Sequence, residues 1–409
     1  MKFDLFFVYL ICGTILFPAS CNPDNKKHNP GLTPNVVASL DGKSLTYSLK
    51  FRKQSLELDN YFKSIYLENI FSGAVIIAKQ GVPIYRKAYG LANRSRHTPV
   101  DCDYAFQLGS VSKQFTAISV LILEQEGKLN VNDSVQKYFP AFPYKNITIR
   151  TLLTHLSGLP NYIYFIDQMP VDKYTLLTNQ KMMEIMCDSI PEKYYPAKQS
   201  FHYCNTNYAV LAAIVEKISG QSFEEFVHKE IFEPLGMTHS FFYSEITKYK
   251  NQNIATGYLS PGYEAGFFYL NGITGDKGIF STVDDMLKWD FALYSDKILK
   301  REFTQEAFKP QTKTRRHNIF YGYGWKMYTL EDSTKVLFHS GWWQGYQSVI
   351  MRIPKDSTTV IILKNKKTAH PVNQSIVLDI LYPGNHFFKV KPKETEHMEE
   401  SEEQEGTGN

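Results

Sequence analysis

Strand-forming segments occur near both ends of this chain, and a long helical stretch separates them. Residues 73–81 and 82–89 are rich in β-branched and aromatic side chains and turn at Gly81, which predicts two paired strands. Three further segments with the same character appear only in the last third of the chain; they are 335–340, 347–353 and 358–363. Strands at both ends with helices between them predict one sheet domain that carries a helical insertion, at about residues 111–265.

Four segments have the apolar spacing of helices. They cover residues 56–66, 110–126, 207–218 and 371–381. The second contains the nearly unbroken apolar run Ile118–Leu123, which predicts a helix buried on all sides, and Gly127 is a suitable residue to end it.

The overall composition is that of a globular protein. Hydrophobic residues make up 43% of the 409 residues and charged residues 21%. The net charge of +4 is spread along the chain and forms no basic stripe. We therefore expect no nucleic-acid partner.

The N-terminus has the pattern of an export signal. Lys2 precedes an apolar run, residues 5–17, which is too short to span a bilayer comfortably. Small residues directly before Cys21 resemble the lipobox of bacterial lipoproteins, although Pro18 stands where an aliphatic residue is usual. We expect a signal peptide over residues 1–21 and lipidation at Cys21, with plain secretion and an uncleaved anchor as the alternatives.

Polar segments flank the predicted domain. Residues 22–52 carry prolines and polar side chains and are interpreted as a linker, and residues 386–409 as an acidic, disordered tail. The domain itself is predicted to cover residues 53–385.

The cysteines indicate neither a disulfide framework nor a zinc site. Two of the five lie in the signal segment, and the other three are Cys102, Cys187 and Cys204, without regular spacing. We expect no metal and no cofactor.

Ser110-Val-Ser-Lys113 is the first candidate for chemistry. A serine hydroxyl needs a base within hydrogen-bond reach, and residues three apart share a helix face. At a helix start, free N–H groups would favour a developing oxyanion, and burial would lower the pKa of Lys113.

A second Ser-x-x-Lys copy, Ser134-Val-Gln-Lys137, is interpreted as an ordinary capped turn. Pro140 follows within six residues, and no buried apolar helix lies behind it. Context therefore favours Ser110.

Two further motifs carry suitable side chains. Tyr203-Cys-Asn205 opens a helix and supplies a phenol and an amide, and a phenolate beside a lysine ammonium is a credible general base. His339-Ser-Gly341 ends a strand, where Gly341 would let a ligand lie against the strand edge. Tyr269-Leu-Asn271 has the Tyr-x-Asn form but lies in a glycine-flanked loop and is interpreted as a decoy.

In this order, Ser-x-x-Lys, Tyr-x-Asn and His-x-Gly resemble the pattern of class C β-lactamases, D-alanyl-D-alanine carboxypeptidases, penicillin-binding proteins and related esterases and aminopeptidases. The connecting segments Leu152–Pro160, Pro234–Met237 and Phe280–Asp285 are also similar to that family. The likeness covers roughly residues 71–363.

The resemblance implies an α+β, β-lactamase/transpeptidase-like fold: an antiparallel sheet flanked by helices, with an inserted, mostly helical domain. It implies catalytic roles for Ser110, Lys113 and Tyr203 and substrate contacts from Asn205, His339, Ser340 and Gly341. The backbone N–H groups of Ser110 and Trp342 would form the oxyanion hole. His155 is interpreted as structural.

Two departures from the family pattern bear on the substrate. His339 replaces the lysine usual in class C β-lactamases, so a substrate carboxylate would lose a fixed cation. An unperturbed histidine titrates near about 6.5, so its help to anionic substrates is expected to grow as pH falls. Trp342-Trp343 would either narrow the pocket or pack under the loop.

Together with the predicted export signal, the resemblance implies an exported serine hydrolase that forms an acyl-enzyme at Ser110 and cleaves an amide or ester bond in a β-lactam, a D-amino-acid peptide or an ester. The alternative is a weakly catalytic or non-catalytic sensor of penicillin or peptidoglycan fragments. We expect a monomer with a small-molecule or short-peptide substrate. Through Cys21 it would be anchored in the cell membrane or outer membrane, facing the periplasm or the exterior.

Overall fold

A computed structural model describes residues 50–384, except 251, 260–261, 317, 331 and 369–371. The predicted signal peptide with Cys21, the linker up to residue 49 and the acidic tail lie outside the described residues. No helix in the described part is both long enough and apolar enough to cross a membrane.

Thirteen strands occur in the described residues. They are β1 Gly73–Lys79, β2 Val82–Tyr89, β3 Leu91–Asn93, β4 Thr98–Pro99, β5 Phe106–Gln107, β6 Phe241–Phe242, β7 Ile279–Ser281, β8 Thr312–Lys313, β9 Phe320–Tyr321, β10 Lys326–Thr329, β11 Lys335–Trp343, β12 Tyr346–Ile353 and β13 Thr358–Lys364. Eight of them form one sheet in the order β2-β1-β13-β12-β11-β10-β9-β8, and every pair in it is antiparallel. Because β1 pairs with both β2 and β13, strands from the first and last parts of the described residues meet in one sheet, as the sequence predicts.

The same part of the chain contains eleven α-helices. They are α1 Arg52–Leu67, α2 Lys113–Gln125, α3 Ile149–Leu153, α4 Tyr162–Phe165, α5 Asn179–Ser189, α6 Asn205–Ser219, α7 Phe223–Val227, α8 Glu233–Leu235, α9 Val283–Ala292, α10 Arg301–Ala307 and α11 Gln374–Leu381. Short 3-10 turns cover Gly109–Ser112, Val135–Lys137, Ile166–Gln168, Tyr243–Glu245 and Tyr269–Gly272, and a π-helical turn covers His228–Phe232.

Both faces of the large sheet are covered. Val75 and Ile77 of β1 belong to the core that includes side chains of α1 and α11, whereas Ala74 and Ile76 belong to the core that includes α2 and α9. Successive residues of a strand point to opposite faces of the sheet. A strand whose two faces are both buried is therefore apolar at consecutive positions, and β1 has this pattern from residue 74 to residue 78. The predicted α+β fold class is confirmed.

One predicted helix starts differently. The sequence predicts a single helix from Ser110, but residues 109–112 form a 3-10 turn and the α-helix begins at Lys113. Gly109 has φ +52°, which only glycine adopts readily, and this bends the chain sharply as it leaves β5. The bend moves Ser110 out of the regular helix and onto its entry.

We predict that Glu216→Gln stabilises the protein at neutral and alkaline pH. Glu216 lies in the last turn of α6, where the helix dipole disfavours an anion, and burial raises the pKa of its carboxyl to about 7 from 4.5. The folded state therefore binds the proton more tightly, and stability falls as pH rises from 4.5 to 7. Glutamine removes this loss and still accepts the Phe223 N–H at 3.3 Å. Urea unfolding at pH 8 is expected to show a gain of about 1–2 kcal/mol.

Glu225→Gln is the matched control. The Glu225 carboxylate is exposed and accepts the Ser222 N–H, so hydrogen bonding lowers its pKa and its substitution brings no such gain. If Glu216→Gln is no more stable than the unmodified protein at pH 8, the assignment of a destabilising carboxylate is wrong.

Candidate active site

Ser110 lies on the 3-10 turn between β5 and α2, against strand β11. A side chain at Gly109 would place its Cβ 2.9 Å from the Trp342 backbone nitrogen, so this turn and β11 are in close contact. Ser110 is 5% exposed, and it precedes the first turn of α2, where backbone N–H groups have no partner within the helix. The turn thus places Ser110 beside the last residues of β11.

The Lys113 ammonium is surrounded by three acceptors. Its Nζ lies 3.0 Å from Ser110 Oγ, 2.7 Å from Asn205 Oδ1 and 3.0 Å from the Asp276 carbonyl oxygen. Lys113 is fully buried. An ammonium has three N–H donors, so this arrangement matches the charged form of the side chain.

Tyr203 and Asn205 reach Lys113 from the start of α6. Cys204 is the N-cap of that helix, Asn205 is its first residue, and the Tyr203 ring centroid lies 4.9 Å from Lys113 Nζ. The structure therefore brings together the serine and lysine of the first motif with the tyrosine and asparagine of the second.

His155 holds the start of α6 in place through contacts with Tyr203 and Cys204. Its Nδ1 accepts the Cys204 backbone N–H at 3.1 Å, so Nδ1 carries no proton and also accepts the Asn207 amide at 3.0 Å. Its ring packs 4.3 Å from the Tyr203 ring. Burial and the nearby Lys113 charge lower its pKa well below the ordinary value, so the imidazole is neutral. These contacts agree with a structural role.

Strand β11 runs directly past the serine. A Cβ on Gly341 would lie 2.1 Å from the Leu108 carbonyl oxygen and 2.9 Å from the Ser110 nitrogen. The backbones of Ser110 and Trp342, whose N–H groups the sequence assigns to an oxyanion hole, are therefore neighbours. Ser340 directly precedes Gly341 in β11 and is half-buried.

We predict that Gly341→Ala lowers kcat/KM for any substrate that acylates Ser110 by roughly 100-fold or more. The added methyl group must push β11 away from the nucleophile turn and so separate the two N–H groups. Steady-state kinetics with a nitrophenyl ester measures the effect. Gly266→Ala is the control, because a Cβ there meets nothing within 4 Å and its φ is not in the left-handed region. Unchanged kinetics in Gly341→Ala would contradict this reading of the contact.

His339 differs from the sequence-based expectation. It is 1% exposed, and its Nδ1 lies 2.7 Å from the Ser340 carbonyl oxygen, so Nδ1–H donates there. The other nitrogen, Nε2, then accepts the Tyr321 hydroxyl at 3.1 Å. Burial and the charges of Lys326 and Lys113 lower the His339 pKa well below its ordinary value. The expectation that this histidine titrates near 6.5 is wrong, because no solvent reaches the ring and two lysines disfavour its cation.

Residues 63–379 match the family model described as Beta-lactamase. The chain belongs to the β-lactamase family. It is 30% identical over 334 residues to the Bacillus subtilis protein named Penicillin-binding protein 4*, covering 78% of this chain and 74% of the relative. A putative penicillin-binding protein of the same organism is 29% identical over 349 residues, 84% of this chain and 80% of that one.

Solved structures of two other proteins have a similar fold. An octameric penicillin-binding protein homologue from Pyrococcus abyssi superposes with a TM-score of 0.70 at 29% identity, over 79% of this chain and 76% of that one. A D-amino acid amidase from Ochrobactrum anthropi superposes with a TM-score of 0.65 at 21% identity, over 81% of this chain and 97% of that one. The predicted resemblance and the β-lactamase/transpeptidase-like fold are thereby confirmed.

The two competing motif copies of this family member are engaged in other contacts. Ser134 caps the short turn Val135–Lys137 by accepting the Gln136 N–H at 3.2 Å, and Lys137 pairs with Asp133 at 2.8 Å on the surface. Asn271 of the other copy accepts the Trp343 indole N–H at 2.6 Å. Trp343 therefore packs under the loop, whereas Trp342 is half-buried beside Lys367.

Sequence reasoning missed a buried polar cluster behind Lys113. Asp276, whose carbonyl oxygen accepts from Lys113, accepts the Tyr162 hydroxyl on its carboxylate at 2.9 Å. Lys277 donates to that hydroxyl at 2.6 Å and lies 3.6 Å from the carboxylate. Since Tyr162 is 114 residues away from Asp276 along the chain, no local pattern could have grouped it with Asp276 and Lys277. Among the described residues, no set of His, Cys, Asp and Glu side chains could hold a metal ion.

Proposed function

We propose that this protein is an exported serine hydrolase that acts through an acyl-enzyme at Ser110. Its substrates would be amide or ester bonds in β-lactams, D-amino-acid peptides or esters. The proposal rests on one observation above all, the 3.0 Å contact between Lys113 Nζ and Ser110 Oγ in a buried site that also contains Tyr203 and Asn205.

In the acylation step, Tyr203 is the base. Because all three Lys113 hydrogens have acceptors, Lys113 serves as an ammonium that favours the Tyr203 phenolate next to it. The phenolate takes the Ser110 proton as Oγ bonds to the substrate carbonyl carbon. The carbonyl oxygen becomes an oxyanion facing the Ser110 and Trp342 N–H groups. When the oxyanion forms the carbonyl again, the bond to the leaving nitrogen or oxygen breaks. That leaving atom receives the proton from Tyr203.

Deacylation repeats these steps with water. Tyr203 takes a proton from a water molecule while the water oxygen attacks the acyl carbon. The bond between that carbon and Ser110 Oγ then breaks. The proton returns from Tyr203 to Oγ, and the carboxylic acid product leaves. Each group ends in the state in which it began, so the cycle needs no metal or cofactor.

The names of the relatives support the range of proposed substrates. Similar proteins are called penicillin-binding proteins, and one of similar fold is called a D-amino acid amidase. Penicillin and a D-amino acid amide both present a carbonyl with a nitrogen leaving group, as the mechanism above requires.

A panel assay tests the proposal. The protein lacking residues 1–21 is incubated with nitrocefin, a nitrophenyl ester, a D-Ala-D-Ala peptide and D-amino-acid amides. We expect turnover of at least one substrate and a mass adduct on the peptide that contains Ser110. A stoichiometric burst without turnover across the panel would contradict hydrolysis and favour a sensor.

We further predict that Cys21 carries lipid. Cys21→Ser, expressed in a bacterial host, is expected to move from the membrane fraction to the periplasm or medium, because a single thioether-linked lipid group anchors only through that sulfur. Fractionation followed by immunoblotting measures this. The control is Cys12→Ser, which lies within the apolar run and should remain with the membrane. A free mature N-terminus downstream of Cys21 would contradict the lipoprotein assignment.

A further inference from the structure

Lys113 takes its third acceptor from a single peptide group that is flanked by glycines. The carbonyl belongs to the peptide that joins Asp276 to Lys277, and it lies 3.0 Å from Lys113 Nζ. Gly275 precedes this pair and Gly278 follows it, with φ angles of +96° and +104°. Glycine allows the backbone many conformations, so the orientation of this carbonyl depends on contacts from outside the segment.

One hydroxyl holds the side chains on both sides of that peptide. The Tyr162 hydroxyl donates to Asp276 Oδ2 at 2.9 Å and accepts from Lys277 Nζ at 2.6 Å. All three side chains are buried, and Lys277 Nζ also lies 3.6 Å from Asp276 Oδ1. Because both residues are fixed at their far ends, the peptide between them cannot turn without breaking a buried contact.

Tyr162 is itself fixed to the start of α6. Its backbone N–H donates to Thr206 Oγ1 at 2.7 Å, and the Thr206 hydroxyl donates to the Pro160 carbonyl oxygen at 2.6 Å. Thr206 directly follows Asn205, the first residue of that helix. The helix start that brings Asn205 to Lys113 therefore also anchors Tyr162.

We propose that Tyr162 is a positioning residue, which fixes the Asp276–Lys277 peptide and so keeps the Lys113 ammonium in place for the reaction at Ser110. This inference rests on the proposed hydrolase function. The Tyr162 hydroxyl contacts Asp276 and Lys277, and it acts on the reaction only through them. Without it, the carbonyl can turn away and Lys113 loses one of its three acceptors.

Loss of the Tyr162 hydroxyl has a specific effect on the pH profile of kcat. In the proposed mechanism, the acidic limb reports protonation of the Tyr203 phenolate and the alkaline limb reports loss of the Lys113 proton. A less stable ammonium moves the alkaline limb to lower pH, and weaker support of the phenolate moves the acidic limb to higher pH. The two limbs therefore approach each other, whereas a change of charge alone moves both in the same direction.

Other titratable groups face Lys113 or Tyr203 from neighbouring elements, and they are His155, Cys204, Tyr208, Lys326 and His339. Burial lowers the pKa of both histidines well below the ordinary value, and it raises the pKa of the cysteine and of Tyr208. These groups are the same in every variant, so a difference between two profiles comes from the substituted side chain.

The test compares pH profiles of kcat for a nitrophenyl ester in the unmodified protein, Tyr162→Phe, Asp276→Asn and Tyr144→Phe. Phenylalanine at 162 removes only the hydroxyl, and asparagine at 276 removes the charge but keeps an acceptor for that hydroxyl. Tyr144→Phe is the matched control, because its buried hydroxyl donates to the Pro191 carbonyl oxygen, outside this cluster.

In Tyr162→Phe we expect the separation of the limbs to shrink by roughly one to two pH units and kcat at the optimum to fall roughly 10- to 100-fold, as for loss of one hydrogen bond to a charged group. In Asp276→Asn both limbs should move together to lower pH, and in Tyr144→Phe neither should move. An unchanged separation in Tyr162→Phe overturns the inference, even if kcat or thermal stability falls. The proposed function fails separately, if Ser110 is not acylated by any substrate of the panel.

A second variant covers the case in which Tyr162→Phe does not fold. Lys277→Met removes the other hydrogen bond of the Tyr162 hydroxyl and the donation to the Ile273 carbonyl oxygen at 2.9 Å. Its lost charge should move both limbs to higher pH, and the loosened peptide should still bring them closer together. A separation equal to that of the unmodified protein overturns the inference.

Lys113 is also titrated directly, without any substrate. NMR of protein that contains lysine labelled isotopically at Cε follows this residue, and its signal is assigned by its absence from Lys113→Arg. We expect Lys113 to lose its proton roughly one to two pH units lower in Tyr162→Phe or Lys277→Met than it would with the same net charge and an intact Tyr162 contact. Equal titration of Lys113 in Tyr162→Phe and in the unmodified protein overturns the inference.

Discussion

Ser110→Ala is expected to abolish acylation and to lower turnover roughly 10⁴- to 10⁶-fold. Alanine removes the oxygen that bonds to the substrate in the proposed mechanism, and it leaves the Lys113 contacts with Asn205 and the Asp276 carbonyl in place. The protein should therefore stay folded and still bind substrate. Labelling with a fluorophosphonate or penicillin probe, followed by mass spectrometry, measures the loss directly.

Ser134→Ala is the matched control, because Ser134 belongs to the other copy of the same motif. Its hydroxyl caps a surface turn, and its lysine partner is paired with Asp133. The variant should label as fast as the unmodified protein and lose a little stability through the missing cap. A labelled peptide that contains Ser134, or full labelling of Ser110→Ala, would show that the nucleophile is elsewhere.

The sequence was sufficient to predict five strands of the large sheet and the contact between Ser110 and Lys113. Strand patterns are local, so β11, β12 and β13 were located to within a few residues. Ser110 and Lys113 are three residues apart, and their contact follows from helical geometry. The closeness of Tyr203 and Asn205 to Lys113 was predicted only through family resemblance. Asn205 is 92 residues from Lys113, and no local rule brings residues so far apart together.

The electrostatics of the pocket could not be predicted in the same way. The pKa of His339 depends on burial beneath Tyr321 and on the charges of Lys113 and Lys326, all of which are set by tertiary packing. Lys326 itself follows a tryptophan in a short strand and has no motif around it. Its position near His339 and the Tyr203 ring is visible only once β10 is paired with β11.

Tyr203→Phe is expected to lower kcat about 10²- to 10⁴-fold, the range for loss of a general base. Phenylalanine keeps the ring that packs on Lys113 and on His155, so substrate binding and folding should change little. Without the phenol oxygen, the Ser110 proton has no acceptor, because Lys113 already donates to three groups. The measurement is the pH profile of kcat for a nitrophenyl ester, with thermal unfolding as a check on the fold.

The control for this experiment is Tyr269→Phe, in the loop copy of the Tyr-x-Asn pattern. The Tyr269 hydroxyl contacts Asp167 at 3.2 Å, away from Lys113, so its removal should alter kcat by no more than a few-fold. Under the proposed mechanism, protonation of the Tyr203 phenolate lowers kcat of the unmodified protein on the acidic side of its pH profile, and the profile of Tyr203→Phe should lose this limb. If the variant keeps more than a tenth of the activity with the same profile, Lys113 must release one of its three hydrogen bonds and act as the base itself, and Tyr203 is then only a ring that packs beside it.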